Sequence, residues 1–462
     1  MNTLTHAGTL RLLIFVGTFI SIVVLIAVIA TPAAQTTEHS YNIPDALSSK
    51  FAMNLRASEP QATTTAPSPQ AARASSFISA MRDFPWDEFP VGAVDQESSK
   101  AFISRLIGEL VKFDEVEPVV PVNQTCMAPP PLPDPAQIDC SASPSAFGEK
   151  RGRPAKVAHM IQLGFEVDTL EIHLRELYDV VDYFFILEST RAHLHQVRKP
   201  LVWDHIKDQD RFRLFQDKVV HMVIDDVEAL PNSGESGSDM WYLERLQEES
   251  RFTKFMEWNA KNGNLFGDED VIGFGDADEV AWRENVHYMK HCMFKASSID
   301  IGIWFPMGRL DHAFKPDWTV PGHPYSLGDP TFYSIKAAKA AQASGHAPNR
   351  KRGTSGTFLL GGMHMTRHRY VPFMMLETLT CTECSVWSAS TLSELKDLFK
   401  AGSVAKLQEY WDKKHSDPFV NRVVPISSLG AEAQALQKIP WFLACNRNRY
   451  PYWWGEPDTR LD

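Results

Sequence analysis

Between Lys156 and Asp276 the chain alternates short apolar runs with segments of helical period, and no other feature limits the fold as strongly. Residues 157–165 read as a strand. Residues 168–177 place Leu170, Leu174 and Leu177 on one helical face. Residues 180–187 and 219–224 are further apolar runs, residues 241–261 a long helix, and residues 271–275 a short, wholly apolar strand. Strands alternating with helices predict an α/β fold with a mostly parallel sheet flanked by helices. Continuous apolar strands fit a sheet covered on both faces.

In such sheets ligands bind beyond the carboxyl ends of the strands. Glu166, Glu188, Asp225 and Asp276 all lie at these ends. A divalent cation held by carboxylates stabilises a leaving diphosphate, and two Asp flanking one residue can face the same ion or its waters. Asp-x-Asp occurs as Asp208-Gln209-Asp210, as Asp268-Glu269-Asp270 and as Asp276-Ala277-Asp278. The first two stand in polar surroundings and read as loop surface. Only Asp276 and Asp278 follow directly on a buried strand, so they are the candidate metal site, against the alternative of an acidic turn.

The chain has 462 residues and a formal net charge of −11, which argues against a broad nucleic-acid surface. Residues 12–30 carry no charge and are long enough to span a bilayer as one helix, with Arg11 before and Pro32 after. They are longer than the apolar part of a secretory signal, so an uncleaved anchor is expected, with everything beyond Pro32 in the lumen. The domain reading is an anchor over 1–31, a Pro/Ser/Ala-rich stem over 32–150 and a catalytic domain over 151–462. Two amphipathic patches, near 84–89 and 102–113, interrupt the stem as short helices able to dock on the main domain. Of the six cysteines, Cys126 and Cys140 are close enough in sequence to pair locally. Cys381 and Cys384 form a lone Cys-x-x-Cys, weak as a zinc site. Asn123-Gln124-Thr125 is a glycosylation sequon, meaningful only in a lumenal chain. Aromatic residues are frequent, with 12 Trp, and serve either a core or a sugar site.

The segment Phe165-Glu166-Val167-Asp168-Thr169-Leu170-Glu171, followed by Glu176-Leu177-Tyr178-Asp179-Val180-Val181-Asp182-Tyr183-Phe184, resembles the opening of glycosyltransferase family 17. Glu188-Ser189, Lys199-Pro200-Leu201, Lys218-Val219 and Asp276-Ala277-Asp278-Glu279 continue the resemblance in order. It covers residues 157–298 well and the remainder loosely. The family's second motif is Gly-Trp-His-Cys-Ser followed by another Cys. The nearest stretch here is Gly361-Gly362-Met363-His364-Met365-Thr366-Arg367-His368, which keeps the glycines and His364 but not the Trp, the cysteines or the Ser. His173 stands where the family usually has Arg.

The resemblance implies a GT-A-like fold, UDP-GlcNAc as donor, Mn²⁺ as metal and inversion at the anomeric carbon. It further implies a Golgi type II membrane enzyme that builds a β-1,4 linkage to a mannose of an N-glycan or glycoprotein acceptor. By that analogy Asp278 ligates the metal, and Asp276 either ligates it through water or contacts the ribose. Glu166 and Glu188 lie where the nucleoside binds, and Arg198 or Lys199 neutralises the diphosphate. Arg350-Lys351-Arg352 reads as a solvated loop rather than one closing on the diphosphate. A transfer with inversion also needs a base for the acceptor proton. His364 is a candidate for that base or for a metal ligand, with a structural histidine as the alternative, and Glu279, Asp311 and Glu377 are the other candidates for the base. The departures in the second motif leave two further readings open: a GT-A transferase with another donor or acceptor, and an inactive glycan-binding relative. A hydrolase built on paired carboxylates is a more distant one.

Overall fold

The computed structural model describes residues 69–89, 97–118, 120–194, 197–224, 242–352, 356–366, 369–380, 389–403 and 422–456, with a few positions between 405 and 413. The segment read as an anchor lies outside them, as do Asp225, Arg367, His368, Cys381 and Cys384. Among the described residues no helix is long and apolar enough to cross a membrane.

Helices α1 (Pro69–Asp83) and α2 (Glu97–Asp114) come first, then strand β1 (Phe147–Lys150). The alternating region gives β2 (Val157–Gln162), α3 (Val167–Leu177), β3 (Tyr183–Glu188), β4 (Val219–Val223), α4 (Tyr242–Lys261) and β5 (Val271–Asp276). Each falls where periodicity and apolar runs place it. The second half holds β6 (Glu279–Ala281), α5 (Arg283–His291), β7 (Cys292–Phe294), β8 (Ile299–Trp304), β9 (His312–Phe314), β10 (Ser326–Ser334), α6 (Ile335–Ala343), β11 (Phe358–His364), α7 (Val371–Thr380), α8 (Ala389–Ala401) and β12 (Val423–Pro425).

One eight-stranded sheet runs β4-β3-β2-β5-β10-β8-β11-β6. Strands β4, β3, β2 and β5 are parallel to their neighbours. Beyond them β10 is antiparallel to both β5 and β8, β11 is parallel to β8, and β6 is antiparallel to β11. The sheet is therefore mixed, with six strands running one way and β10 and β6 against them. Continuous burial does not distinguish the two cases here, because β8 and β10 are covered on both faces as fully as β2 is. On one face Ala158, Met160, Phe185 and Phe274 pack with Phe252 and Phe255 of α4. On the other, Val157, Ile161, Phe184 and Ile186 join the core that includes α3 and α7.

That core extends into the stretch read as a stem. Phe77 and Met81 of α1, Trp86, and Phe102, Leu106 and Leu110 of α2 are all buried in it. The Phe77 ring meets Phe113 at 5.1 Å and Phe399 at 5.6 Å, and Tyr370 Oη donates to the Phe113 carbonyl at 2.6 Å. Composition misleads because a few apolar residues at helical spacing, set among Ala, Ser and Pro, bury a complete face. A compact unit spans Ala62–Asp462. The Pro-rich stretch near residues 128–137 is held by side chains of α5 and β1. Arg283 donates to the Pro130 carbonyl, His287 Nε2 to Pro133 O at 3.0 Å, and Lys150 Nζ to Ala136 O at 3.0 Å. A Pro-rich stretch cannot pair in a helix or a ladder, so its carbonyls accept from side-chain donors of neighbouring elements. The cysteines pair Cys126–Cys445 and Cys140–Cys292, not Cys126 with Cys140. Both bridges join this strap to distant parts of the fold.

Candidate active site

Beyond the carboxyl ends of β2 and β5 lies a cleft of about 340 Å³, lined by Glu166, Lys199, Asp276, Asp278, Glu279, His364 and Glu377, among others. Asp276 closes β5 beside Gln162 of β2, and the Ala277 amide donates to the Gln162 carbonyl at 2.9 Å. The far wall arrives through β11. Its antiparallel register with β6 sets Gly362 opposite Ala281 and His364 opposite Glu279. Gly361 adopts φ +131°, and a Cβ there would lie 2.0 Å from the Trp282 ring. The glycine pair lets β11 reach β6 with no side chain in the way. The Met365 amide then donates to the Asp278 carbonyl at 2.6 Å, and His364 Nδ1 stands 3.6 Å from Asp278 Oδ2.

The two aspartates have different surroundings. Burial pushes the Asp276 carboxyl up, but Arg350 and Arg251 outweigh this and hold it at about 2. Arg251 Nη2 lies 3.2 Å from Asp276 Oδ1, and Arg350 Nη1 contacts Oδ2. Burial also raises Asp278, and Glu279, Asp276 and Glu377 add to the shift, so this carboxyl sits well above the usual range. Glu166 is raised to about 7 by burial and then by Asp278. Burial lowers His364 to about 4, so its imidazole is neutral. One side of the cleft thus carries an excess of acid with a neutral imidazole beside it.

Arg350 is buried, not part of a solvated loop. Its Nη1 donates to Glu279 Oε1 at 2.6 Å, its Nε to Glu248 Oε1 at 2.8 Å, and its Nη2 lies 3.4 Å from Glu244. Arg352 lines the cleft 3.1 Å from Glu244. Charge runs are usually exposed, and Lys351 and Arg352 are, but Arg350 is turned onto acids of α4, β5 and β6. Glu244, Gln247, Glu248 and Arg251 form a polar face of α4 at helical spacing. That spacing is legible in the sequence, but a polar helical face ordinarily points to solvent and by itself gives no sign of a site. Gln162 Nε2 donates to Gln247 Oε1 at 2.7 Å, and His193 Nε2 lies 2.8 Å from the same oxygen.

Three candidate residues stand elsewhere. Glu188 does not line the cleft: its oxygens accept from the Val202 amide at 2.6 Å, the Trp203 amide at 2.9 Å and His221 Nε2 at 2.9 Å. It caps the short helix Val202–Ile206. Arg198 is outside the cleft and donates to Thr190 Oγ1 at 3.1 Å. Asp311 is exposed and paired with Arg309 at 2.6 Å and His312 at 2.7 Å, also outside the cleft. Lys199 lines the cleft, yet its ammonium donates to Gly164 O and Pro200 O, each at 3.3 Å, beside Glu188 at 3.6 Å. Glu166 accepts from the Gly164 and Phe165 amides at 2.8 and 2.9 Å, which fixes the loop at the end of β2. Asp208 and Asp210 are exposed, and Asp270 is bonded to the Lys156 and Gly267 amides.

Among the described residues no group of three His, Cys, Asp or Glu side chains is placed to hold a metal. The Asp278–His364 pair nevertheless offers two ligand atoms 3.6 Å apart, with the buried His364 Nδ1 making no hydrogen bond among the described residues, and substrate oxygens and water would complete the shell of a transition-metal ion there. The surplus of buried acid around Asp278 is what such an ion would relieve.

A mixed sheet flanked by helices, with carboxylates gathered beyond its central strands, is consistent with a glycosyltransferase fold. Residues 141–303 match the model of Glycosyltransferase family 17, which supports a glycosyltransferase. The matched stretch runs from β1 to β8 and includes Glu166, Asp276, Asp278 and Glu279, while Arg350, His364 and Glu377 lie beyond it. No curated protein matches the chain.

Proposed function

We propose that this glycosyltransferase moves N-acetylglucosamine from UDP-GlcNAc to a mannose of an N-glycan, in β-1,4 linkage and with inversion. The observation that carries the reading is the approach of His364 to Asp278 at 3.6 Å, beside the acids at the end of β5. Asp278 and His364 would hold Mn²⁺, and Asp276 is kept ionised behind them by Arg350 and Arg251. When bound, the ion supplies positive charge to the leaving diphosphate. Arg352, on the cleft wall, is the protein's own cation for that diphosphate, because the donors of Lys199 are directed at backbone carbonyls.

His364 suits a ligand role better than a base role, since burial that lowers it to about 4 leaves a neutral but weakly basic imidazole. Glu279 is engaged by Arg350 and by the Asp276 amide at 2.9 Å. Glu377, on α7, lines the cleft and accepts from Thr366 Oγ1 at 3.0 Å, and it becomes the base. The acceptor hydroxyl oxygen forms the bond to the anomeric carbon, the bond to the diphosphate oxygen breaks, and the hydroxyl proton passes to Glu377. The proposed setting is the Golgi lumen, with the anchor in the membrane. The two disulfides suit an oxidising compartment.

The altered residues around His364 favour a second reading, a related transferase with a different donor or acceptor. A donor screen on the Ala62–Asp462 unit with Mn²⁺ and a mannose-terminated N-glycan separates the two. Transfer from UDP-GlcNAc supports the first reading, and faster transfer from another nucleotide-sugar supports the second. Glycan binding with no transfer from any donor overturns both in favour of an inactive relative.

A further inference from the structure

Cleft residues contributed by the parallel half of the sheet are mostly polar or charged, whereas those following β8 and β9 are largely aromatic or apolar. Among the described residues, Met127, Val223, Met293 and Trp318 are the large apolar side chains left exposed. Of these, Trp318 alone lines the cleft, with 44% of its surface in solvent. A single exposed hydrophobe is ordinary. This one ends a continuous run that begins at the reaction centre. The His364 ring stacks on Phe305 at 4.6 Å, Phe305 meets Phe314 at 5.1 Å, and the Arg422 guanidinium lies 4.7 Å over Phe314. Arg422 Nη1 then holds Asp317 Oδ2 at 3.1 Å, and Trp318 follows in the chain. The antiparallel pairing of β9 with β12 fixes this run, with Val423 opposite Phe314.

We infer that Trp318 and Asp317 form the acceptor subsite, where a pyranose ring lies on the exposed indole. A pyranose has one face of C–H groups and a rim of hydroxyls. The indole offers an apolar, electron-rich surface to the first, and the exposed Asp317 carboxylate accepts from the second. A nucleoside diphosphate fits this wall poorly, because it would meet a largely aromatic surface and the exposed Asp317 carboxylate. The Asp278–His364 pair stands at the inner end of this run, and Arg352 lines the same cleft beside Glu244. The run through Phe305 and Phe314 leads along the cleft from His364 towards Asp317 and Trp318.

The assignment rests on the glycosyltransferase reading, so its test includes a measurement that needs no turnover. The full chain, extracted in detergent, is titrated with a free mannose-terminated N-glycan oligosaccharide and followed by indole fluorescence and calorimetry. Transfer is assayed in parallel. Trp318→Ala should weaken oligosaccharide binding and raise acceptor KM by about tenfold. Mn²⁺-dependent UDP affinity and donor KM should stay unchanged, and Trp318→Phe should restore most of the acceptor affinity. Unaltered oligosaccharide affinity in Trp318→Ala overturns the subsite even if transfer is robust. Oligosaccharide binding lost in Trp318→Ala, from a wild-type chain that transfers nothing, keeps the subsite and overturns the transferase reading. A wild-type chain that neither binds the oligosaccharide nor transfers overturns both.

Discussion

His364 Nδ1 and Asp278 Oδ2 stand 3.6 Å apart because β11 pairs with β6 in a register that sets His364 opposite Glu279. If the two residues share an ion, their substitutions should behave alike. Asp278→Asn should cut transfer by at least about a hundredfold. His364→Ala should slow transfer and weaken Mn²⁺-dependent UDP binding together. Slow transfer with intact UDP affinity would instead make His364 the base, and unchanged values of both would remove it from the site. Asp210→Asn is the control. Its carboxylate is exposed and pairs with Arg213 at 3.0 Å, so both measurements should stay at wild-type values.

Arg350 is the counter-charge of the site. Removing it leaves Glu279, Asp276 and Glu248 close together in a buried region. Arg350→Met should lower unfolding stability by about 3–5 kcal/mol, the usual cost of stranding one side of a buried ion pair. Arg350→Lys should recover part of it, since it keeps the charge but loses the bidentate geometry. Urea midpoints decide the matter, and an unchanged midpoint in Arg350→Met would refute this role.

Glu176 gives a pH dependence of known sign. It is buried at the end of α3, where Oε2 accepts from the Trp441 amide at 2.9 Å. Burial, followed by repulsion from Glu284, raises its carboxyl from 4.5 to about 8. The folded state therefore keeps a proton that the unfolded chain releases, and this contribution to stability is lost as pH rises from about 4.5 through 8. Glu176→Gln retains the acceptor and removes the titration. It should match the wild type near pH 4.5 and exceed it by roughly 3–5 kcal/mol above pH 8. Parallel stability curves for the two proteins would refute the assignment.

The packing of α1 and α2 sets where a soluble fragment can begin. A fragment of residues 150–462 lacks both helices and the partners of Cys292 and Cys445. It would expose Tyr370 and Phe399, which are buried in the complete fold. It should aggregate on expression, whereas Ala62–Asp462 should unfold cooperatively. A monodisperse, cooperatively unfolding 150–462 fragment would show that the two helices are dispensable.

Membrane topology has two direct readouts. Asn123 is exposed, and its side-chain oxygen accepts from the Thr125 amide at 3.1 Å and from Thr125 Oγ1 at 2.9 Å. In a lumenal chain it should carry a glycan, seen as a mobility shift on enzymatic deglycosylation that Asn123→Gln abolishes. Amino-terminal sequencing of the membrane-extracted protein should find the apolar segment intact. A mature start near Thr31 or Ala34 would replace the anchor with a cleaved signal.

Local rules were sufficient for the parallel half of the sheet. Apolar runs and helical period locate β2, α3, β3, β4, α4 and β5 to within a few residues, because each buries its own contiguous side chains. The position of Asp276 and Asp278 at a strand end was equally legible, since it depends only on what precedes them. Everything that requires two distant segments to meet was decided by tertiary structure. The other half of the sheet, where parallel and antiparallel pairs are mixed, depends on pairing across long separations, and β8 and β10 carry the same continuous apolar pattern as the parallel strands. The long-range disulfides and the docking of α1 likewise join segments that sequence proximity does not connect. Glu188 shows the limit most clearly. A carboxylate at a strand end reads as a ligand-binding group, yet the chain returns two backbone amides and His221 to it and makes it a cap. Arg350 shows the reverse case: it belongs to a basic run with every sign of a solvated loop and is drawn inward, while Lys351 and Arg352 stay exposed. The charge of its partners, gathered from α4, β5 and β6, exists as a site only once the sheet has formed.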